Sequence, residues 1–187
     1  MKENKETIEF LKEQLERTNY WISFAEAKNG AIVAINIALM TIIVDLFSYA
    51  AELCVFALSC LIVSNLICLI SFFPNLKTHW KKEDDKGNID KEKLSGEKSA
   101  KNDDSELNLL FYSDIAKLSE EQYKEQVRIK YGEQFGEKCF NNKIAFDYLS
   151  EIHINSCIAN RKYILFKYAI KSDIFALVLC IIIFIVA

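Results

Sequence analysis

The chain is short of the residues that most active sites and phosphate cradles need. It has five glycines and one proline in 187 residues. No GxGxxG turn and no Walker lysine occurs, which removes the glycine-rich phosphate loops. Histidine is scarcer, with only His79 and His153. There is no HExxH pair, and no Ser/His/Asp set has usable spacing. The six cysteines form no CxxC pair and no Cys/His cluster, so neither zinc nor a disulfide framework is indicated. Cys54, Cys60, Cys68 and Cys180 lie in apolar runs and Cys139 and Cys157 in the polar middle; buried free thiols act as small hydrophobes. The expectation is a non-enzyme with no cofactor and no metal. A net charge of -3 also gives no footprint for nucleic-acid binding.

A further absence organises the chain. No Lys or Arg occurs anywhere in residues 30–73, and Asp45 and Glu52 are the only acids there. A bilayer core of about 30 Å takes roughly 20 apolar residues in a helix, so this run holds two crossings. The reading is a hairpin. It goes across from Asn29 or Gly30 to Val44 or Phe47, turns over 46–52, returns over 53–73 and is stopped by Pro74. A buried hairpin in a soluble protein is the alternative, but so long an uncharged run is the transmembrane signature.

Around this hairpin the sequence alternates in character. Overall it is 51% apolar and 26% charged, in separate blocks. Residues 1–29 place Ile8, Leu11, Leu15, Tyr20 and Ile22 at near-helical spacing among Glu and Lys, so one helix enters the bilayer from the polar side. Tyr20 and Trp21 are expected to pack on another cytoplasmic helix or to mark the interface. Residues 74–106 are almost free of apolar side chains and read as a charged flexible loop. The segment LNLLFYSDIAKL at 107–118 is apolar again, as a short helix or an extended piece. Ser119 and Gln122 form a capping box, with a helix to about Phe135 and a stop at Gly136. From Asn141 an amphipathic helix runs towards the last apolar run, 174–187. That run alone is short of a crossing. A span starting near Phe166 or Tyr168 suffices if Lys167 and Lys171 snorkel; a half-inserted tail is the alternative.

Lys2, Lys5, Lys12, Arg17 and Lys28 precede the hairpin, and Lys77, Lys81 and Lys82 follow it, with none in the turn. The positive-inside rule then places the N-terminus in the cytoplasm of a multi-pass membrane protein. His79 and Trp80 fit an interfacial anchor. The fold expected is an all-α membrane protein. An N-terminal helix (1–29) runs into a two-helix transmembrane hairpin (30–73). The charged loop (74–106), a cytoplasmic helical region (107–165) and a C-terminal transmembrane helix (166–187) follow.

Within the crossings, small residues form stripes. Gly30, Ala34, Ala38, Thr41 and Asp45 share one face of the first, and Ala57, Cys60, Ser64, Cys68 and Ser71 one face of the second. Small residues let membrane helices approach closely, so the stripes are expected to meet. Asn36 then lies near the opposite side, and the third crossing offers it no polar residue at that depth. Either Asn36 meets a neighbouring protomer or a wet channel in a homo-oligomer, or a modest rotation joins it to Asn65 within one hairpin, because an unpaired amide in hydrocarbon is costly.

Phe24-Ala25-Glu26-Ala27-Lys28-Asn29-Gly30, Asn108-Leu109-Leu110-Phe111-Tyr112-Ser113-Asp114-Ile115-Ala116, Leu118-Ser119, Tyr123, Ile152 and Lys162-Tyr163 together resemble the Pycsar transmembrane effectors of antiphage defence. Glu26 stands where that family has Asp, and Ser113 where it has Gly. SLATT-type effectors are the nearest rival. The resemblance implies sensing of cCMP or cUMP made by a partner cyclase, followed by damage to the inner membrane and abortive infection. An anchor, scaffold or ungated pore is the alternative. For such a ligand, Arg128, Lys130, Arg161 and Lys162 are the candidate phosphate contacts, and Tyr112, Tyr131 and Tyr163 the candidate stacking surfaces. Glu26 and Lys28 are read as an interfacial charge pair, or as a contact that holds the resting state.

Overall fold

A computed structural model describes residues 2–73, 107–136, 140 and 142–186. The charged loop, with Pro74, Lys77, His79, Trp80, Lys81 and Lys82, lies outside the described residues, as does Cys139. Of the described residues 88% are helical and none is in a strand. Five helices are described: α1 (Lys2–Asp45), α2 (Ala51–Phe72), α3 (Tyr112–Ile115), α4 (Glu120–Phe135) and α5 (Lys143–Val186).

α1 and α5 are each 44 residues long, or roughly 66 Å at 1.5 Å per residue. That is about twice a bilayer core, so each helix has a polar half and an apolar half. No proline interrupts either one. Gly30 is no break in α1: a Cβ built there would meet nothing within 4 Å. Three helices, α1, α2 and α5, are long and apolar enough to cross a membrane. α5 continues unbroken to Val186, which gives the last apolar run the length of a crossing.

Buried positions repeat every seven residues. In α2 they are Cys54, Ala57, Leu61, Ser64, Cys68 and Ser71, a strict alternation of three and four. In α1 the same phase runs through Leu11, Gln14, Thr18, Ala25, Asn29, Asn36 and Ile43, and in α5 through Ala145, Leu149, Ile152, Ser156, Ala159, Ala169, Ala176 and Ile183. A 3.5-residue period keeps one seam facing its partners along the whole length. Hydrogen bonds fix the register. Asn19 faces Asn155, and one heptad on Glu26 faces Lys162, so α1 and α5 run parallel. Asn29 bonds Ser71 and Asn36 bonds Ser64, so α2 runs antiparallel to α1.

Two cores result. In the polar half Leu11, Leu109, Ile115, Tyr123, Val127, Phe140, Ala145, Leu149 and Ile152 cluster. In the apolar half Ile43, Cys54, Ala57, Leu61, Ala176 and Ile183 do so. The segment after residue 107 resolves into the short helix α3, entered through an extended Phe111. The capping box forms as the spacing predicts: Ser119 accepts from the Gln122 amide and Gln122 from the Ser119 amide. α4 ends at Gly136, whose φ of 85° favours glycine.

The stripe expectation holds for α2 and fails for α1. Gly30, Ala34, Ala38, Thr41 and Asp45 are all exposed on the outer face. Asn36 turns inward and donates to Ser64 Oγ at 3.2 Å and Asn65 Oδ1 at 3.1 Å. Asn36 therefore needs no neighbouring protomer. The reason is energetic: two amides, Asn29 and Asn36, lie one heptad apart, and burying both costs less than exposing either to lipid. Close approach through glycine and alanine yields to that demand. The third span also differs from expectation, since Ser172 and Asp173 of α5 lie at this depth; Ser172 donates to Cys60 O at 2.8 Å.

Candidate functional site

The site of interest is the junction where the polar half meets the apolar half. α3 packs there against α5 and α1. Gln14 holds it by donating to Leu110 O at 3.0 Å. Trp21 of α1 packs on Tyr112 (5.5 Å between ring centres) and on Tyr163 (6.3 Å). Tyr112 stacks on Tyr163 at 5.0 Å, with only 19° between ring planes. Burial pushes both phenols above their ordinary pKa, so both stay neutral over the physiological range.

Beside this aromatic cluster sits a charged one. Lys162 is buried, yet it donates to Ser71 O at 2.9 Å and pairs with Glu26 at 3.0 Å. α2 has no basic residue in its own last turn. Lys162 supplies that missing cation to the C-terminal carbonyls, where a positive charge is favoured. One side chain thus ties α5 to the end of α2 and to α1. Lys28 lies over Phe24, Phe166 and Tyr163 at 4.5, 5.3 and 5.4 Å, a cation–π arrangement. Glu26 and Lys28 therefore do not pair with each other; each reaches to α5.

Arg161, the neighbour of Lys162, turns about 100° round the helix and faces elsewhere. It lines an open groove of about 290 Å³ with Ala116 of α3 and Cys157, Asn160, Ile164 and Leu165 of α5. Arg161 makes no ion pair or hydrogen bond among the described residues. The groove therefore offers a guanidinium fork and an amide against an apolar wall. Cys157 is exposed in the groove wall, and partial burial pushes its thiol pKa up. His153 is held by Leu118 O at 2.9 Å, a packed helix residue.

The seven residues proposed as ligand contacts divide. Tyr112 and Tyr163 come together at the junction, Lys162 is there but committed inward, and Arg161 lines a groove whose wall includes neither tyrosine. Arg128 pairs with Glu125 at 2.9 Å on α4, and Lys130 is exposed on the same helix. Tyr131 packs on Phe10 at 5.3 Å. Phe10 lies eleven residues before Trp21, or roughly 16 Å along α1, so the α4 set belongs to a different end of the polar half. Ser71 and Trp21 were not among the predicted contacts. The seven-residue spacing of Asn29 to Asn36 and of Ser64 to Ser71 was the available signal for the inward polar seam.

A family model described as the Pycsar effector protein domain matches residues 10–187. No curated protein and no solved structure matches the chain. The matched region takes in all three membrane-length helices and the junction between the halves. The chain belongs to the Pycsar effector family, membrane effectors of antiphage cyclic-nucleotide signalling.

Proposed function

We propose that a cyclic pyrimidine mononucleotide, cCMP or cUMP, binds the junction groove from the cytoplasm and switches the helices to an arrangement that impairs the inner membrane. The observation that carries this reading is the continuity of α5. The same unbroken helix bears Asn160 and Arg161 in the groove and, a few turns on, the third membrane span. A cyclic monophosphate has one negative charge, which suits the Arg161 guanidinium, unpaired among the described residues, with the Asn160 amide beside it. Its flat base suits the apolar side of the groove, Ile164 and Leu165.

A ligand shifts an equilibrium only by its differential affinity for the two arrangements. Here the difference comes from α3. A nucleotide wedged between Ala116 and Arg161 moves α3 relative to α5, and α3 is tied to α1 through Tyr112, Trp21 and Gln14. The strain falls on the Lys162–Glu26–Ser71 contact, the tie between all three spans. Coupling of this kind is typically worth about 1–3 kcal/mol, comparable to one such contact.

The test uses the full chain in lipid vesicles, titrated with cCMP, cUMP, cAMP and cGMP while binding and dye release are followed. A pyrimidine nucleotide is expected to bind and to release dye. Arg161→Ala is expected to weaken binding by at least roughly tenfold, the scale of one charge-assisted hydrogen bond. Unchanged binding in Arg161→Ala would remove the groove from consideration, and binding without release would remove the membrane step.

A further inference from the structure

The mid-span polar layer contains a group that the proposed switch does not use. Asp173 lies next to Ser172, which bonds Cys60, the tenth of the twenty-two residues of α2. That puts the carboxyl close to the middle of the membrane-spanning bundle. Its Oδ1 is buried and has no hydrogen-bond partner, and Asp173 makes no ion pair among the described residues. The nearest basic residues on its own helix, Lys167 and Lys171, are exposed, and Lys171 lies over the Tyr168 ring at 5.8 Å. α2 has no basic residue at all, and α1 has none beyond Lys28.

An ionisable group at mid-bilayer costs several kcal/mol and marks a functional site by default. An asparagine would fill the same space without that cost. Neutral oxygens lie beside the half-buried Asp173: Ser172 Oγ and the Cys60 carbonyl it bonds, with the Asn36–Ser64–Asn65 hydrogen bonds about one turn along α2 from Cys60. One carboxylate among neutral oxygens is the chemistry of a weak site for a hard monovalent cation. Towards the hairpin turn the seam is closed by Ile43, Cys54, Ala57, Ala176 and Ile183, so this arrangement does not conduct.

We infer that Asp173, backed by Ser172 and the Asn36–Ser64–Asn65 layer, is the point at which a monovalent cation passes through the membrane span of the active effector. The inference rests on the reading that the active protein impairs the membrane. It adds that the lesion is cation-selective and that one side chain sets the selectivity. A carboxylate repels anions and replaces part of a cation's hydration shell, and leaves the cation free to depart because it acts alone.

The full chain in planar bilayers under a KCl gradient, opened with cCMP or cUMP, gives the reversal potential directly. Wild type is expected to prefer K⁺ over Cl⁻. Asp173→Asn is expected to lower that preference at least roughly tenfold with nucleotide binding intact, and Asp173→Glu to keep it. An Asp173→Asn protein with wild-type selectivity would overturn this inference alone. No current from wild type would overturn it together with the reading beneath it. If Asp173→Asn failed to assemble, wild type decides by itself: Cl⁻ passing as freely as K⁺ overturns the inference.

Discussion

The two halves of the long helices use one repeat to opposite ends. In the polar half the seam is Leu11, Leu149, Ile152 and Tyr123, and the outer face carries Lys and Glu. In the apolar half the seam holds Asn29, Asn36, Ser64 and Ser71 among small and branched residues, and the outer face shows Ile35, Ile37, Phe56, Ile62, Phe184 and Ile185. Water drives the first half together by apolar burial. Lipid tails give no such drive, so the second half relies on close packing and interhelical hydrogen bonds. The same heptad thus buries polar residues in both halves, Thr18 and Ser156 in the first and Asn36 and Ser64 in the second. The halves differ in what surrounds the seam: Tyr123, Val127 and Phe140 from outside the long helices pack on it only in the first.

The comparison predicts a graded series of losses, each read as the thermal unfolding midpoint by circular dichroism in one detergent. The largest is expected for Leu149→Ala. It empties a fully buried site in the polar core and should cost about 2–5 kcal/mol. A loss under one kcal/mol would mean that apolar burial does not hold this half. Next is Lys162→Met at the junction. It removes the buried donor to Ser71 O and the partner of Glu26. Because the Glu26 side chain is 45% exposed and can rehydrate, the expected cost is about 1–3 kcal/mol, and Glu26→Gln should cost less. Equal losses from both would show that the charge of Lys162 matters only through Glu26. The smallest is Asn36→Leu in the apolar half, expected at about 1 kcal/mol, the scale of membrane hydrogen bonds. A loss as large as that of Leu149→Ala would erase the distinction between the halves.

The junction reconciles the two regimes. A buried lysine is tolerable there because it has a carboxylate on one side and a helix C-terminus on the other. Consecutive residues do unlike work: Lys162 ties the spans and Arg161 faces the open groove. The sequence offered both as phosphate contacts, since a basic pair carries no sign of which member turns inward. Only the neighbours of each face decide that.

Much of the architecture was legible beforehand for a physical reason. The absence of Lys and Arg over 30–73 is incompatible with anything but a long apolar pair of helices, and the Ser119–Gln122 box and Gly136 are local signals that act within a few residues. The rotation of α1 was not legible. Gly30, Ala34 and Ala38 made an attractive packing face on the wheel, but the seam is set by Asn29 and Asn36, whose partners Ser71 and Ser64 lie on another helix. Likewise Arg128, Lys130 and Tyr131 looked equivalent to Arg161 and Tyr163 as residue types, and the fold separates them.

The linear chain by itself fixed the class of the molecule, its three apolar spans, the stops of its helices and its family, because each depends on composition or short-range pattern. The tertiary structure alone decided which faces look inward, which cation of the Arg161–Lys162 pair is buried, and where Asp173 sits, with no counter-charge among the described residues. Those depend on hydrogen-bond partners brought together from distant parts of the chain, and an amide or a carboxylate in hydrocarbon is costly enough for such partners to override local packing preference.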